Sequence, residues 1–380
     1  MIFPLFAALA FSLPTLAIVL VVGLVRWLLK KPQRRYWAIC GWVHLGLFAI
    51  HLFVTFPAAL GLLGSRGLGT RGDERSYEGP RIAADGALLV QSKQTLRRER
   101  DGQDSIDEAV LAAARDRAHD VAGADGVTLR IYRVPARAEA IEADGPRAVA
   151  VLVHGLFRSS LELETVAGML RERGCECWLM DQRNHGHSTR SPFTGGLRES
   201  QDVVAVVDYV RAQPGRADRP LLLYGVSLGT IAVSLALPHI EGVGGVVLDA
   251  PIDDLTAAAH RMMTFERQGD RRSWFYLYEP WRSLTLTALG AWSGFATTDV
   301  SPIEVLATVR HDLPMLVISE GLDDRAPPDT VRALFERLPQ HDGIAKELWH
   351  VPDVGHGKAF LEQPRAYDEA LGRLLERVLE

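Results

Sequence analysis

Cysteine is scarce in this chain, with three among 380 residues: Cys40, Cys175 and Cys177. So few exclude a disulfide scaffold, and the count leaves the redox compartment open. Cys175 and Cys177 stand two apart in an extended stretch, where their side chains are expected to part to opposite faces and not to bridge. A basic stripe is also lacking. The net charge is −5 and basic residues do not interleave with aromatic ones, so nucleic acid is not expected as a partner. There is no internal repeat, no low-complexity tract, and no histidine, cysteine and carboxylate spacing that calls for a metal; no cofactor is expected.

Charge is missing where the chain begins. Residues 1–25 carry no charged side chain, and a second uncharged run extends from Tyr36 to Ser65. Each is long enough as a helix to cross about 30 Å of hydrocarbon, and no basic segment precedes the first as it would in a signal peptide. A two-helix membrane anchor is therefore expected over residues 1–65. Pro4, Pro14 and Pro57 are tolerable there, because neighbouring helices can satisfy freed carbonyls. His44 and His51 lie two turns apart on one face and have no partner histidine in the first run, which favours a helix contact or interfacial position over haem.

Residues 66–86 are rich in glycine and charge and read as a tether. Ser105-Ile106-Asp107-Glu108 has the form of a capping box, opening an accessory helix expected to run to about Ala122, so that 66–125 is tether and accessory helix. Asp125-Gly126 then turns the chain into an alternating strand from Val127 to Val134. From residue 126 to 380, apolar strands alternate with helical stretches, the pattern of a mainly parallel sheet covered on both faces.

Within that pattern, Gly225-Val226-Ser227-Leu228-Gly229 follows the apolar run Leu221 to Tyr224 and precedes a helical stretch. A serine between two glycines at a strand-to-helix turn has the form of a nucleophile elbow: the glycines let strand and helix approach, and the hydroxyl stands exposed above the sheet edge. Such a serine needs a histidine to take its proton and a carboxylate to orient that histidine. His356, between Gly355 and Gly357 in a loop after an apolar strand, is the natural base, whereas His350 lies inside the strand and reads as structural. The loop Glu320-Gly321-Leu322-Asp323-Asp324-Arg325-Ala326-Pro327, after another strand, should carry the acid.

His154-Gly155, the elbow, the Gly-x-x-Asp-x-x-Pro from Gly321 to Pro327, and Gly355-His356-Gly357 occur in the order found in the α/β-hydrolase superfamily. The chain resembles most closely its monoacylglycerol-lipase and serine-aminopeptidase-like branch, whose Asp-x-Arg-Gly-His-Gly-x-Ser loop is similar to Asp181 through Ser188. Asn184 departs from the glycine usual there, but asparagine tolerates a left-handed backbone. The resemblance implies Asp324 as the acid, with Asp323 and Asp249 as competitors. It also implies Leu156, with Phe157 second, and Leu228 as the two amide donors of an oxyanion hole. His154 would shape that loop, and His185 and His187 would pack loops.

The same resemblance places a lid at about residues 252–300, where Phe265, Trp274, Phe275, Tyr276, Tyr278, Trp281, Trp292 and Phe295 either line an acyl pocket or pack the lid on the core. The fold implied is α/β-hydrolase with a helical lid. The activity implied is a membrane-tethered serine hydrolase cleaving esters, with a lipid or long-acyl substrate favoured. A thioesterase, an aminopeptidase and a catalytically silent membrane-bound module stand as alternatives. Arg26, Lys30, Lys31, Arg34 and Arg35 between the two apolar runs place that loop in the cytoplasm by the positive-inside rule, and the catalytic part on the outer, periplasmic side of a bacterial-type inner membrane; Arg66, Arg71, Arg75 and Arg81 pull the other way.

Overall fold

A computed structural model of the chain describes residues 2–32, 34–50, 69–70, 117–141, 145–264, 283, 286, 294–339 and 346–380. It divides into two units, Met1–Gly67 with Met263–Thr297, and Leu68–Met262 with Thr298–Glu380.

In the first unit, α1 (Ile2–Leu28) and α2 (Arg34–Ile50) pack as a helical hairpin. Tyr36 donates to the Val19 carbonyl at 2.6 Å, and His44 Nδ1 lies 3.4 Å from Thr15 Oγ1, so His44 makes a helix contact; His51 lies outside the described residues. The expectation of two membrane-spanning helices is corrected: among the described residues, no helix is long and apolar enough to cross a membrane. Helix α2 carries Arg34 and Arg35 in its first turn, charges that a hydrocarbon core does not readily accept. Side chains of α1 are described only from Ser12 onward.

Among the described residues, the second unit is built on eight strands: β1 (Ala118–Ala122), β2 (Thr128–Val134), β3 (Ala148–Val153), β4 (Cys175–Met180), β5 (Leu221–Val226), β6 (Val243–Asp249), β7 (Met315–Glu320) and β8 (Lys346–Val351). They form one sheet in the order β1-β2-β4-β3-β5-β6-β7-β8, in which only β2 runs against the others. Helices connecting the strands are α3 (Glu164–Glu172), α4 (Leu197–Arg211), α5 (Leu228–Ala236), α6 (Leu255–Thr264), α7 (Pro302–Leu306), α8 (Pro328–Arg337), α9 (Ala359–Glu362) and α10 (Pro364–Leu379). Every residue of β3, β4, β5 and β7 is buried, which requires a helical cover on each face and explains their unbroken apolar runs. One face packs Ala150, Leu152 and Tyr224 against Val166 and Leu170 of α3 and Leu371 and Leu374 of α10.

Two further expectations change here. The accessory helix does not reach Ala122, because Ala118–Ala122 pairs with β2 as an edge strand, with Val121 inward opposite Leu129. Pairing along a sheet edge outweighs the helix propensity of the alanine-rich sequence before it, and residues 101–116 lie outside the described ones. Cys175 and Cys177 share one face of β4 instead of parting, since side chains alternate with a period of two; both are buried and free. Of the lid region, residues 252–264, 283, 286 and 294–300 are described, and the aromatic residues from Phe265 to Trp292 lie outside.

Candidate active site

Ser227 ends β5 and opens α5 with φ 53° and ψ −119°, a left-handed backbone that a non-glycine residue holds only when its surroundings impose it. The surroundings do. A Cβ at Gly225 would stand 2.6 Å from the Gly229 carbonyl oxygen, and one at Gly229 would stand 2.3 Å from that of Val153, so neither glycine is replaceable without moving strand or helix. Ser227 N donates to the Asp249 carbonyl at 2.8 Å, fastening the turn to β6. The neighbouring strands behave alike: Phe157 in the loop after β3 (φ 62°), Asn184 in the loop after β4 (φ 63°) and Ala250 directly after β6 (φ 49°) are also left-handed, so each of four adjacent parallel strands is followed within four residues by such a residue.

His356 follows β8 and reaches Ser227 Oγ with Nε2 at 2.6 Å. Its Nδ1 lies 2.7 Å from Asp323 Oδ2. The acid expected at Asp324 is therefore corrected to its neighbour. Asp323 has a fully buried side chain whose Oδ1 accepts from the amides of Arg325 (2.8 Å) and Ala326 (3.0 Å), while Asp324 is exposed. Backbone pairing sets this register, because Gly321 N and Leu322 N donate to the carbonyls of Val351 and Val354, which turns residue 323 inward. His350 is apart from this line and faces Ser319 Oγ at 3.3 Å.

The loop after β3 faces the serine. A Cβ at Gly155 would lie 3.3 Å from that of Ser227, so the loop backbone approaches the nucleophile closely. Gly155 N donates to Glu162 Oε2 (2.8 Å) and Phe157 N to His185 Nε2 (3.4 Å), which leaves Leu156 N, with Leu228 N at the start of α5, as amides for an incoming anion. His154 takes no part in proton transfer. Burial, and then the neighbouring His185, push its pKa well below the usual histidine range, and both nitrogens are committed: Nδ1 donates to the Gly155 carbonyl (2.7 Å) and Nε2 accepts from Gln182 N (3.0 Å). His187 Nδ1 pairs with the Tyr132 hydroxyl at 2.7 Å, a packing contact.

Residues 150–370, more than half of the chain, match the Alpha/beta hydrolase family. This chain belongs to that family. No curated protein matches the hydrolase. Among solved structures it is similar to the esterase Pf2001 of Pyrococcus furiosus (18% identity, 69% of this chain and 92% of that one, TM-score 0.54). It is similar as well to DcsB in complex with a substrate analogue (17%, 69% and 98%, TM-score 0.53) and to Est1E of Butyrivibrio proteoclasticus with ferulic acid bound (16%, 68% and 99%, TM-score 0.50). At these identities the likeness is one of fold.

Three further carboxylates shape the hydrolase site in ways that the sequence does not announce. Glu320, at the end of β7, accepts the amides of Lys358 and Ala359 (2.7 Å each) and of Gly357, and so holds the loop on which His356 stands. Burial, then the Asp249 charge, push its carboxyl up to about 9, against those amides. Asp249, weighed above as an acid, lies beneath the elbow instead and takes the hydroxyls of Tyr224 (3.1 Å) and Tyr367 (2.7 Å) on Oδ2; burial raises it to about 6. Asp181 ties the two loops beside the serine by accepting Ser160 N (2.7 Å) and His187 N (2.9 Å). Glu320 and Asp249 carry no signal for these roles beyond a carboxylate at the end of a strand, while Asp181 opens the loop through Ser188 that carries the family resemblance. Glu320, Asp323 and His356 each offer an atom within 4.8 Å of the others, a grouping that could hold a cation. Those atoms are already committed to Ser227, to one another and to backbone amides, so they read as a proton-transfer line and its support.

Proposed function

We propose that this hydrolase cleaves carboxylic esters through an acyl-enzyme on Ser227. The observation that carries the reading is the unbroken line from Asp323 through His356 to Ser227, at 2.7 Å and 2.6 Å. As Oγ bonds to the acyl carbon, its proton passes to His356 Nε2, and Asp323 stabilises the imidazolium. The tetrahedral oxyanion is received by the amides of Leu156 and Leu228. The imidazolium then protonates the leaving alcohol, and a water, deprotonated by the same nitrogen, releases the acid.

Esters are favoured over thioesters and amides because, of the similar structures, Pf2001 is an esterase and Est1E binds ferulic acid. A lipid or long-acyl substrate, and tethering to a membrane, belong to the same proposal. They are supported by the outward apolar side chains of the hairpin, including Ile18 (63% exposed), Trp27 (66%) and Trp42 (74%), which call for a bilayer or another apolar cover.

Incubating the purified chain with a fluorophosphonate and with p-nitrophenyl esters of rising acyl length, monoacylglycerols, thioesters and aminoacyl amides tests the activity. Labelling, and turnover that increases with acyl length, are expected. A folded chain that neither labels nor cleaves any ester would sink the reading and raise that of a silent membrane-bound module. Placement of the catalytic unit outside the cytoplasm, argued from Lys30, Lys31, Arg34 and Arg35 between the two apolar runs, is tested by fusing alkaline phosphatase or green fluorescent protein after Glu380. Active phosphatase is expected; bright fluorescence with silent phosphatase would put the enzyme on the cytoplasmic side.

A further inference from the structure

We propose that Thr70, contributed by the segment that follows the N-terminal hairpin, is a positioning residue for the oxyanion loop. The proposal rests on the ester-hydrolase reading above for the role of that loop.

Thr70 is 2% exposed although it lies 48 residues before the first strand, at Ala118 (118 − 70). Its Oγ1 donates to the Arg158 carbonyl at 2.8 Å and accepts from Gly186 N at 2.5 Å. One hydroxyl thus joins the loop after β3, two residues beyond Leu156, to the loop after β4. Beside Leu156 the direct bond between these loops, Phe157 N to His185 Nε2, is long at 3.4 Å, and a bond of that length is weak. The loops are also joined on either side of it, by Gln182 on His154 and by Asp181 on Ser160 and His187, and between those two points the short bridge is the one that Thr70 supplies at Arg158. Only a side chain that donates and accepts at one atom can fill it, which among aliphatic residues means threonine or serine.

The backbone beside it is fitted to the same place. A Cβ at Gly69 would stand 2.2 Å from the Asn184 carbonyl oxygen, so Gly69 lets the segment lie against the left-handed turn at Asn184. Phe157 is left-handed too, and such a conformation persists only while contacts over-determine it. Releasing Arg158 from Thr70 frees the peptides on its N-terminal side to relax, and with them the Leu156 amide. Catalytic geometry would then depend on a segment outside the strands and helices of the hydrolase fold.

The test uses the full chain with Thr70→Val, Thr70→Ser and Gly69→Ala. Thr70→Val keeps the shape and deletes the bridge; it should lower kcat for a p-nitrophenyl ester by about 10- to 100-fold with KM nearly unchanged, since misplacing a catalytic group by about 1 Å costs up to that much. Binding of an alkyl boronic acid, which forms a tetrahedral anion on Ser227, should weaken by a similar factor. Thr70→Ser should stay within about 3-fold of wild type, and Gly69→Ala should behave as Thr70→Val does. Amide hydrogen exchange over residues 155–158 should speed up in Thr70→Val and not in Thr70→Ser. Unchanged exchange there would overturn the clamp even if the chain cleaved no ester, while wild-type turnover or a pure KM effect in Thr70→Val would overturn its catalytic consequence. Failure of the wild type itself to cleave esters, with faster exchange in Thr70→Val, would instead reject the functional reading and keep the clamp.

Discussion

Ser227→Ala is expected to abolish fluorophosphonate labelling and to lower kcat by about 10⁴- to 10⁶-fold, with the folded state intact. The size of the effect follows from the arrangement at the elbow. Without Oγ there is no atom to form the acyl-enzyme, and His356 Nε2, 2.6 Å from that oxygen, is left with no proton to take. The residual rate would come from the amides of Leu156 and Leu228, acting on water in place of serine. Thermal unfolding followed by circular dichroism controls for misfolding, and alanine removes only a hydroxyl from a turn already fixed by Gly225 and Gly229. A variant that retained more than about 1% of kcat would remove Ser227 from the mechanism.

Asp323→Asn is expected to cost about 10⁴-fold in kcat, whereas Asp324→Asn should stay within about 2-fold of wild type. The two aspartates are adjacent, yet their hydrogen bonds make the substitutions unequal. Oδ1 of Asp323 accepts from two backbone amides, so an asparagine there must turn its oxygen toward Arg325 and Ala326 and its NH₂ toward His356. An NH₂ facing Nδ1 requires that nitrogen to be unprotonated, which puts the ring proton on Nε2 and points it at the serine. A histidine in that tautomer cannot act as the base. Asp324 is exposed and makes no such demand. Equal losses in the two variants, or a larger one at Asp324, would move the acid and with it the register of the whole loop.

That register was the part of the site that the sequence could not supply. Ser227 and His356 were legible because glycine on both sides of each is a local signal with a steric cause. The parallel sheet was legible because strands covered on both faces read as unbroken apolar runs, as Leu221–Val226 and residues 315–318 do. Choosing between Asp323 and Asp324 depends on where Gly321 and Leu322 pair with the loop after β8, a contact between segments some thirty residues apart. Edge strand β1 was hidden because an alanine-rich, charged stretch favours a helix locally and only its pairing with β2 makes it a strand. Thr70 was hidden more deeply, since nothing in a glycine-rich tether says which of its residues returns to the catalytic loops. The N-terminal apolar runs marked the helical hairpin, and residues 51–65 of the second run lie outside the described ones.

Left-handed, non-glycine residues following each of four successive strands have a bearing on how this enzyme can evolve. Each such residue costs on the order of 1–3 kcal/mol, in a molecule whose net stability is typically about 5–15 kcal/mol. The reactive edge is therefore the place where stability and turnover are opposed: glycine at 227 would relax the backbone and end the chemistry. Variation that improves packing on the far side of the sheet, between α3 and α10, meets no such conflict. It can accumulate as a reserve that later changes at the edge draw down, so selection for new substrates is expected to leave its first traces in the core and only then in the loops around Ser227.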